Sequence, residues 1–103
     1  MRIPTHRPPT HPGEMLLEEF LEPMGLTSQA LAEKIFIPWE SLDELIQGKQ
    51  RITPGLALRL AKFFNMSPGF WLNLQLRLDL YQAQQEEARE LDQIQPCEIS
   101  LQS

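Results

Sequence analysis

Two dipeptides, Thr53-Pro54 and Ser67-Pro68, constrain this chain most tightly. A hydroxyl side chain followed at once by proline is a helix start. The oxygen accepts from a free backbone N–H, and proline takes the first helical position, where its missing N–H costs nothing. After each start, apolar residues return at helical spacing: Leu56, Leu60, Phe63 and Phe64 after the first, Trp71, Leu74 and Leu78 after the second. Earlier, Leu17, Phe20, Leu21 and Met24 mark one face of a helix beginning near His11-Pro12-Gly13-Glu14, and Pro23 and Gly25 are expected to end it. Thr27 caps a second helix with Leu31, Ala32 and Ile35 inward, broken at Phe36-Ile37-Pro38 because the residue before a proline is pushed out of helical geometry. A short third helix turns Leu42, Leu45 and Ile46 inward and stops at Gly48. The only strand-like alternation is a weak one at Cys97-Glu98-Ile99-Ser100-Leu101. The expected fold is all-α, with about five helices and a long last one.

The 103 residues, 42% of them hydrophobic, suit one domain with a modest core. Uninterrupted apolar runs such as Ile35-Phe36-Ile37 are far too short to cross a bilayer. The opening Met1-Arg2-Ile3-Pro4-Thr5-His6-Arg7-Pro8-Pro9 has no apolar stretch behind its basic residues, unlike a signal peptide. A single cysteine, Cys97, excludes an internal disulfide and fits a reducing compartment, so a cytoplasmic location is expected. Net charge is −5 with a pI near 4.9, which works against neutralising phosphates and favours a basic partner, although a local basic patch can sit on an acidic chain.

Three regions are expected: a proline-rich arm at 1–11, a helical domain at 12–91 and a tail at 92–103. The last helix carries two apolar arcs. At 100° per residue, Phe70, Trp71, Leu74, Leu78 and Tyr81 fall on one side, and Leu72, Leu76, Leu80 and Ala83 on nearly the opposite one, with Gln75 and Asp79 among the separators. One helix can bury only one arc in its own small core. The second, Leu72, Leu76, Leu80 and Ala83, is expected to form a two-fold interface with another copy; a terminal tail folded over it is the plainer alternative.

The second and third helices and their short break have the dimensions of a helix-turn-helix. Here a resemblance becomes specific. His11-Pro12-Gly13-Glu14, Leu21-Glu22-Pro23, Leu31-Ala32, Gly48-Lys49, Arg51-Ile52-Thr53-Pro54, Ala57-Leu58-Arg59-Leu60-Ala61 and Ser67-Pro68-Gly69-Phe70-Trp71-Leu72-Asn73-Leu74-Gln75 resemble the HigA family of addiction-module antidote proteins, within the Xre/Cro (lambda-repressor-like) helix-turn-helix group. The likeness spans residues 11–83. It implies the antitoxin of a type II toxin–antitoxin module. Such a protein silences a basic, RelE-like, mRNA-cleaving toxin and, as a homodimer, represses its own operon by binding double-stranded operator DNA. It implies no enzyme activity, cofactor, metal or membrane. The DNA contacts it implies are Thr27, Ser28 and Gln29 opening the second helix, Trp39, Glu40, Ser41 and Asp43 on the recognition helix, and Lys49 and Arg51 beyond it. An acidic antitoxin facing a basic toxin also agrees with the net charge.

The sequence departs from the family pattern where DNA contact is implied. Phe36 replaces the glycine of the turn, Pro38 replaces a hydroxyl cap, and residues 39–47 hold Glu40, Asp43 and Glu44 with no base. Nearby Lys34, Lys49, Arg51, Arg59 and Lys62 offer phosphate contacts instead. Two rival readings follow: a toxin-free Xre-type regulator, or an interaction module that has lost DNA binding. Trp39 either stacks on a base or folds back against Phe36, whereas Trp71 belongs in the core. His6 and His11 lack partners at metal-ligand spacing, and Glu14, Glu18 and Glu19 have no base or nucleophile beside them. Arg2 and Arg7 could reach a minor groove or a partner protein, or do neither. Glu86, Glu87, Glu90 and Asp92 are either a solubilising face or a dock for a basic toxin.

Overall fold

The computed structural model describes residues 8–98. Helix α1 (Pro12–Leu16) starts at an unusual cap: His11 Nδ1 accepts from the Gly13 N–H at 2.9 Å. It runs through a π-helical turn, Leu17–Leu21, into α2 (Glu22–Met24). That turn corrects one expectation. Pro23 does not end the helix. A proline inside a regular helix lacks a donor and its ring strikes the carbonyl four residues back, here Glu19. The wider turn, with Glu22 N–H bonding the Leu17 carbonyl, lets the rod pass through Pro23. Gly25 ends it at φ 64, and the Leu26 N–H closes on the Leu21 carbonyl at 3.0 Å.

Helix α3 (Ser28–Ile35) starts under Thr27, whose hydroxyl accepts from the Ala30 N–H at 3.1 Å. Phe36, Ile37 and Pro38 join it to α4 (Trp39–Ile46), which has no side-chain cap. Helix α5 (Pro54–Phe64) and α6 (Pro68–Gln93) begin as their dipeptides dictate: Thr53 accepts from Leu56 N–H at 3.2 Å, and Ser67 from Gly69 N–H at 3.1 Å. Helix α6 ends two residues beyond the expected domain boundary. Pro8, Pro9 and Thr10 line a depression with Met15, Leu74 and Arg77, away from the second arc of α6. Arg2, His6 and Arg7 lie outside the described residues.

Leu16, Leu31, Leu42, Leu45, Leu60 and Trp71 are fully buried, two from α4 and one each from α1, α3, α5 and α6. Each such side chain contributes about 1.5–3 kcal/mol on leaving water. Phe20 sits at the centre of an aromatic group, 4.8 Å from Phe64 and 5.1 Å from Trp71 between ring centroids. Among the described residues the Trp71 indole N–H has no acceptor, so packing against Phe20, Phe64 and Phe70 holds this ring against a desolvation cost of about 1–3 kcal/mol. Helix α1 approaches α4 so closely that a Cβ on Gly13 would fall 2.9 Å from the Ile46 Cα. No described helix is long and apolar enough to cross a membrane.

The two arcs of α6 separate over most of their length, although Phe70, read as part of the inner arc, is 37% exposed and Tyr81 is half-buried. Trp71, Leu74 and Leu78 are buried, while Leu72, Leu76 and Leu80 are 36%, 52% and 52% exposed. Ala83 is exposed on the same side.

Candidate nucleic-acid interface

Core packing sets the outward face of α4. With Leu42 and Leu45 buried, the helix must turn Trp39, Glu40, Asp43 and Glu44 outward or to its flanks. The residues implied as DNA contacts then divide between the two flanks. Thr27, Ser28 and Asp43 line one depression of about 410 Å3 where the start of α3 meets α4. Ser41 and Arg51 line another, of about 440 Å3, between the start of α4 and the start of α5, with Gln50, Thr53 and Arg59. Gln29, Glu40 and Lys49 are exposed and line neither.

Trp39 joins the first group by a route not anticipated. Its indole N–H donates to the Ser28 hydroxyl at 3.1 Å, fixing the ring across the mouth of the helix pair while 41% of the residue stays exposed. Among the described aromatic pairs, none joins Trp39 to Phe36. Thr27 spends its hydroxyl on the α3 cap.

Two of the three carboxylates of α4, Asp43 and Glu44, are engaged. Asp43 accepts from the Gln47 side-chain amide at 2.7 Å, and Glu44 from that of Gln50 at 2.8 Å. Each acid therefore orients an amide, the group that reads adenine in a major groove. Gln47 and Gln50 went unmarked in the sequence, although an acid four residues before Gln47 on a helix is a usable signal.

Arg51 forms a bidentate pair with Asp79 of α6, at 2.6 and 3.2 Å, yet its side chain stays 61% exposed. The pair and a hydrogen bond from Gln75 hold the Asp79 carboxyl below its usual range, and Asp79 in turn raises the guanidinium. Gln75 is buried. Its carbonyl accepts from the Ile52 N–H at 2.8 Å and its amide donates to Asp79 at 3.0 Å. The segment between α4 and α5 is thus bolted to α6. On its other side lies His11, whose pKa burial pushes down against the opposing pull of Glu14 and a hydrogen bond to the Gln50 backbone.

Arg59, read from sequence as a possible phosphate contact, caps α3 instead. Its guanidinium donates to the Ile35 and Phe36 carbonyls at 2.6 and 3.2 Å. Among the described residues no group of His, Cys, Asp or Glu side chains is placed to hold a metal ion.

An antitoxin from Vibrio cholerae, HigA-1, is 40% identical over 97 residues, covering 94% of this chain and 91% of that one. A solved addiction-module antidote protein of the HigA family from Coxiella burnetii matches at TM-score 0.81 and 36% identity, over 88% of this chain and 100% of the other. A Pseudomonas aeruginosa protein solved in complex with its 18-bp operator DNA matches at TM-score 0.85 and 29% identity, over 92% of this chain and 100% of that one. No family model matches the chain. Helices α3 and α4, their three-residue joint and the helical body around them define a helix-turn-helix protein of the Xre type. Within that class, with 40% identity across nearly its whole length, the chain belongs to the HigA family of antitoxins.

Proposed function

We propose that this chain is the antitoxin of a type II toxin–antitoxin pair. It binds and neutralises a RelE-like, mRNA-cleaving toxin, and as a dimer it represses its own operon. The dimer forms through Leu72, Leu76, Leu80 and Ala83, the exposed arc of α6. Each protomer presents α3 and α4 to operator DNA, with Thr27, Ser28, Gln29, Trp39, Glu40, Ser41 and Asp43 at the groove and Lys49 and Arg51 beside phosphates. The observation that carries this reading is the preorganised surface formed by α4 and the turn that follows it. Trp39 is fixed by Ser28, and the Gln47 and Gln50 amides are aimed by Asp43 and Glu44. Side chains held before DNA arrives lose less entropy on binding.

One feature favours a second reading, an interaction module without DNA binding. Helix α4 offers three carboxylates and no base to a phosphate-lined groove. A gel-shift titration against the chain's own upstream DNA, at two salt concentrations and with or without the neighbouring gene product, separates the two. The antitoxin reading requires a sequence-preferring shift that weakens with salt and an association with a small basic partner. Absence of any shift up to micromolar protein would leave the interaction module.

A further inference from the structure

A groove of about 350 Å3 lies between α3 and α5, and no residue of α4 or α6 lines it. Ile35, Phe36, Leu58 and Phe63 make its apolar wall. Lys34, Arg59 and Lys62 complete the lining, with no carboxylate among them. Phe36 is 84% exposed and Leu58 60%. Phe36 also takes φ 61, a left-handed conformation that bulky side chains avoid and that helix ends ordinarily give to glycine. A strained phenylalanine held open to water beside a second exposed apolar side chain is the mark of a contact surface.

We propose that this groove receives the acidic end of α6 from a second copy of the chain. Beyond Tyr81 every described residue is exposed. Residues 82–98 hold five carboxylates (Glu86, Glu87, Glu90, Asp92 and Glu98) against one base, Arg89, and so carry four of the five net negative charges. Leu91 and Ile94 stand exposed in the same stretch, with Glu87 one helical turn before Leu91. Among the described residues the chain thus has two unpartnered surfaces of matching apolar character and opposite charge. They cannot meet within one molecule. Helix α6 is continuous over 26 residues, about 39 Å, and its buried residues stop at Leu78, so its end lies far beyond the α3–α5 seam of its own chain. The contact is heterologous, head to tail, and adds to the two-fold contact proposed for Leu72, Leu76 and Leu80. It builds assemblies larger than a dimer and is weakened by salt.

Sedimentation velocity of the full chain at about 50 and about 500 mM NaCl tests this, the two conditions bracketing strong and weak screening. Wild type is expected to form species beyond the dimer at low salt and to lose them at high salt. K34E/K62E and E87K/E90K are each expected to lose them, with unchanged helical circular dichroism, and an equimolar mixture of the two variants to restore association. Phe36→Gly supplies a check free of misfolding. It relieves the left-handed strain, so the melting temperature rises by a few degrees while assembly weakens. A wild type confined to the dimer at both salts would overturn the proposal. So would charge reversals that leave assembly intact, or an α6 end whose reversal affects only binding to the toxin.

Discussion

Replacing Gly13 by alanine tests the packing that holds α4 in place. The new Cβ would overlap the Leu45 carbonyl oxygen outright and lie 2.6 Å from the Leu45 carbon and 2.9 Å from the Ile46 Cα. Every obstacle is backbone, so no rotamer change relieves it. Reaching ordinary contact near 3.4 Å requires α1 to retreat from α4 by about 1.5 Å, a distance set by the Leu45 carbonyl oxygen, and a gap of that size forfeits at least about half of each dispersion contact across it. Leu16, Leu42 and Leu45, all fully buried, lie along this seam. Overpacking typically costs about 1–3 kcal/mol, and an obstacle made only of backbone belongs at the upper end. Alanine's helix propensity gives back at most about 1 kcal/mol. The net loss is about 2 kcal/mol, and for a domain of this size the melting temperature falls by roughly 8–16 °C. Thermal melts followed at 222 nm, with urea titrations to confirm an unchanged slope, measure it. A melting temperature unchanged or raised would mean that propensity outweighs the contact and that α1 is not seated on α4 as described.

Three further outcomes follow. The His11 pKa lies below its ordinary 6.5, so the folded state takes up a proton less readily than the unfolded chain. The stability linked to it is complete above about 6.5 and is lost as pH falls from there toward the folded value; His11→Ala should flatten urea midpoints across that window. Gln75→Ala strands the buried Ile52 N–H at a cost of about 1–3 kcal/mol, and that amide should exchange with solvent markedly faster, whereas unchanged exchange would mean that another acceptor replaces Gln75. Leu76→Glu places a charge on the exposed arc of α6, 52% accessible in the single chain, so light scattering should find a monomer with an unchanged helical spectrum; a persistent dimer would move the interface elsewhere.

The features legible in the sequence are those set by neighbours along the chain. Thr27, Thr53 and Ser67 cap the helices that follow them because a cap needs only a hydroxyl and the next turn of backbone. The two arcs of α6 were readable for the same reason, since periodicity is local. What escaped reading depends on residues far apart. Gln75 looked like a polar separator between arcs, yet it is buried because an unpaired Ile52 N–H, 23 residues earlier, needs an acceptor there. Arg59 looked like a phosphate contact, yet it meets carbonyls 23 and 24 residues back. Pro23 looked like a stop signal because the π turn that absorbs it leaves no mark in composition. On α4 the acids were readable, but not that Asp43 and Glu44 each hold an amide, since partner choice depends on side-chain geometry.

These long-range bonds have a consequence for how the proposed dimer reads DNA. The segment from Gln47 to Thr53 leaves the recognition helix with α6 on one side, through Arg51–Asp79 and Ile52–Gln75, and His11 against Gln50 on the other. Held from both sides, it cannot let α4 drift relative to α6. In a dimer joined along Leu72, Leu76 and Leu80, the geometry of the α6 pair therefore sets the distance and angle between two α4 helices. For a two-fold operator that spacing must come near one helical turn of DNA, about 34 Å. In that proposed dimer Gln75 and Asp79 would convert a dimer contact into a groove register. Arg51 would then play two parts under the proposed function: two of its nitrogens face Asp79, and its side chain, 61% exposed, is left accessible to a phosphate.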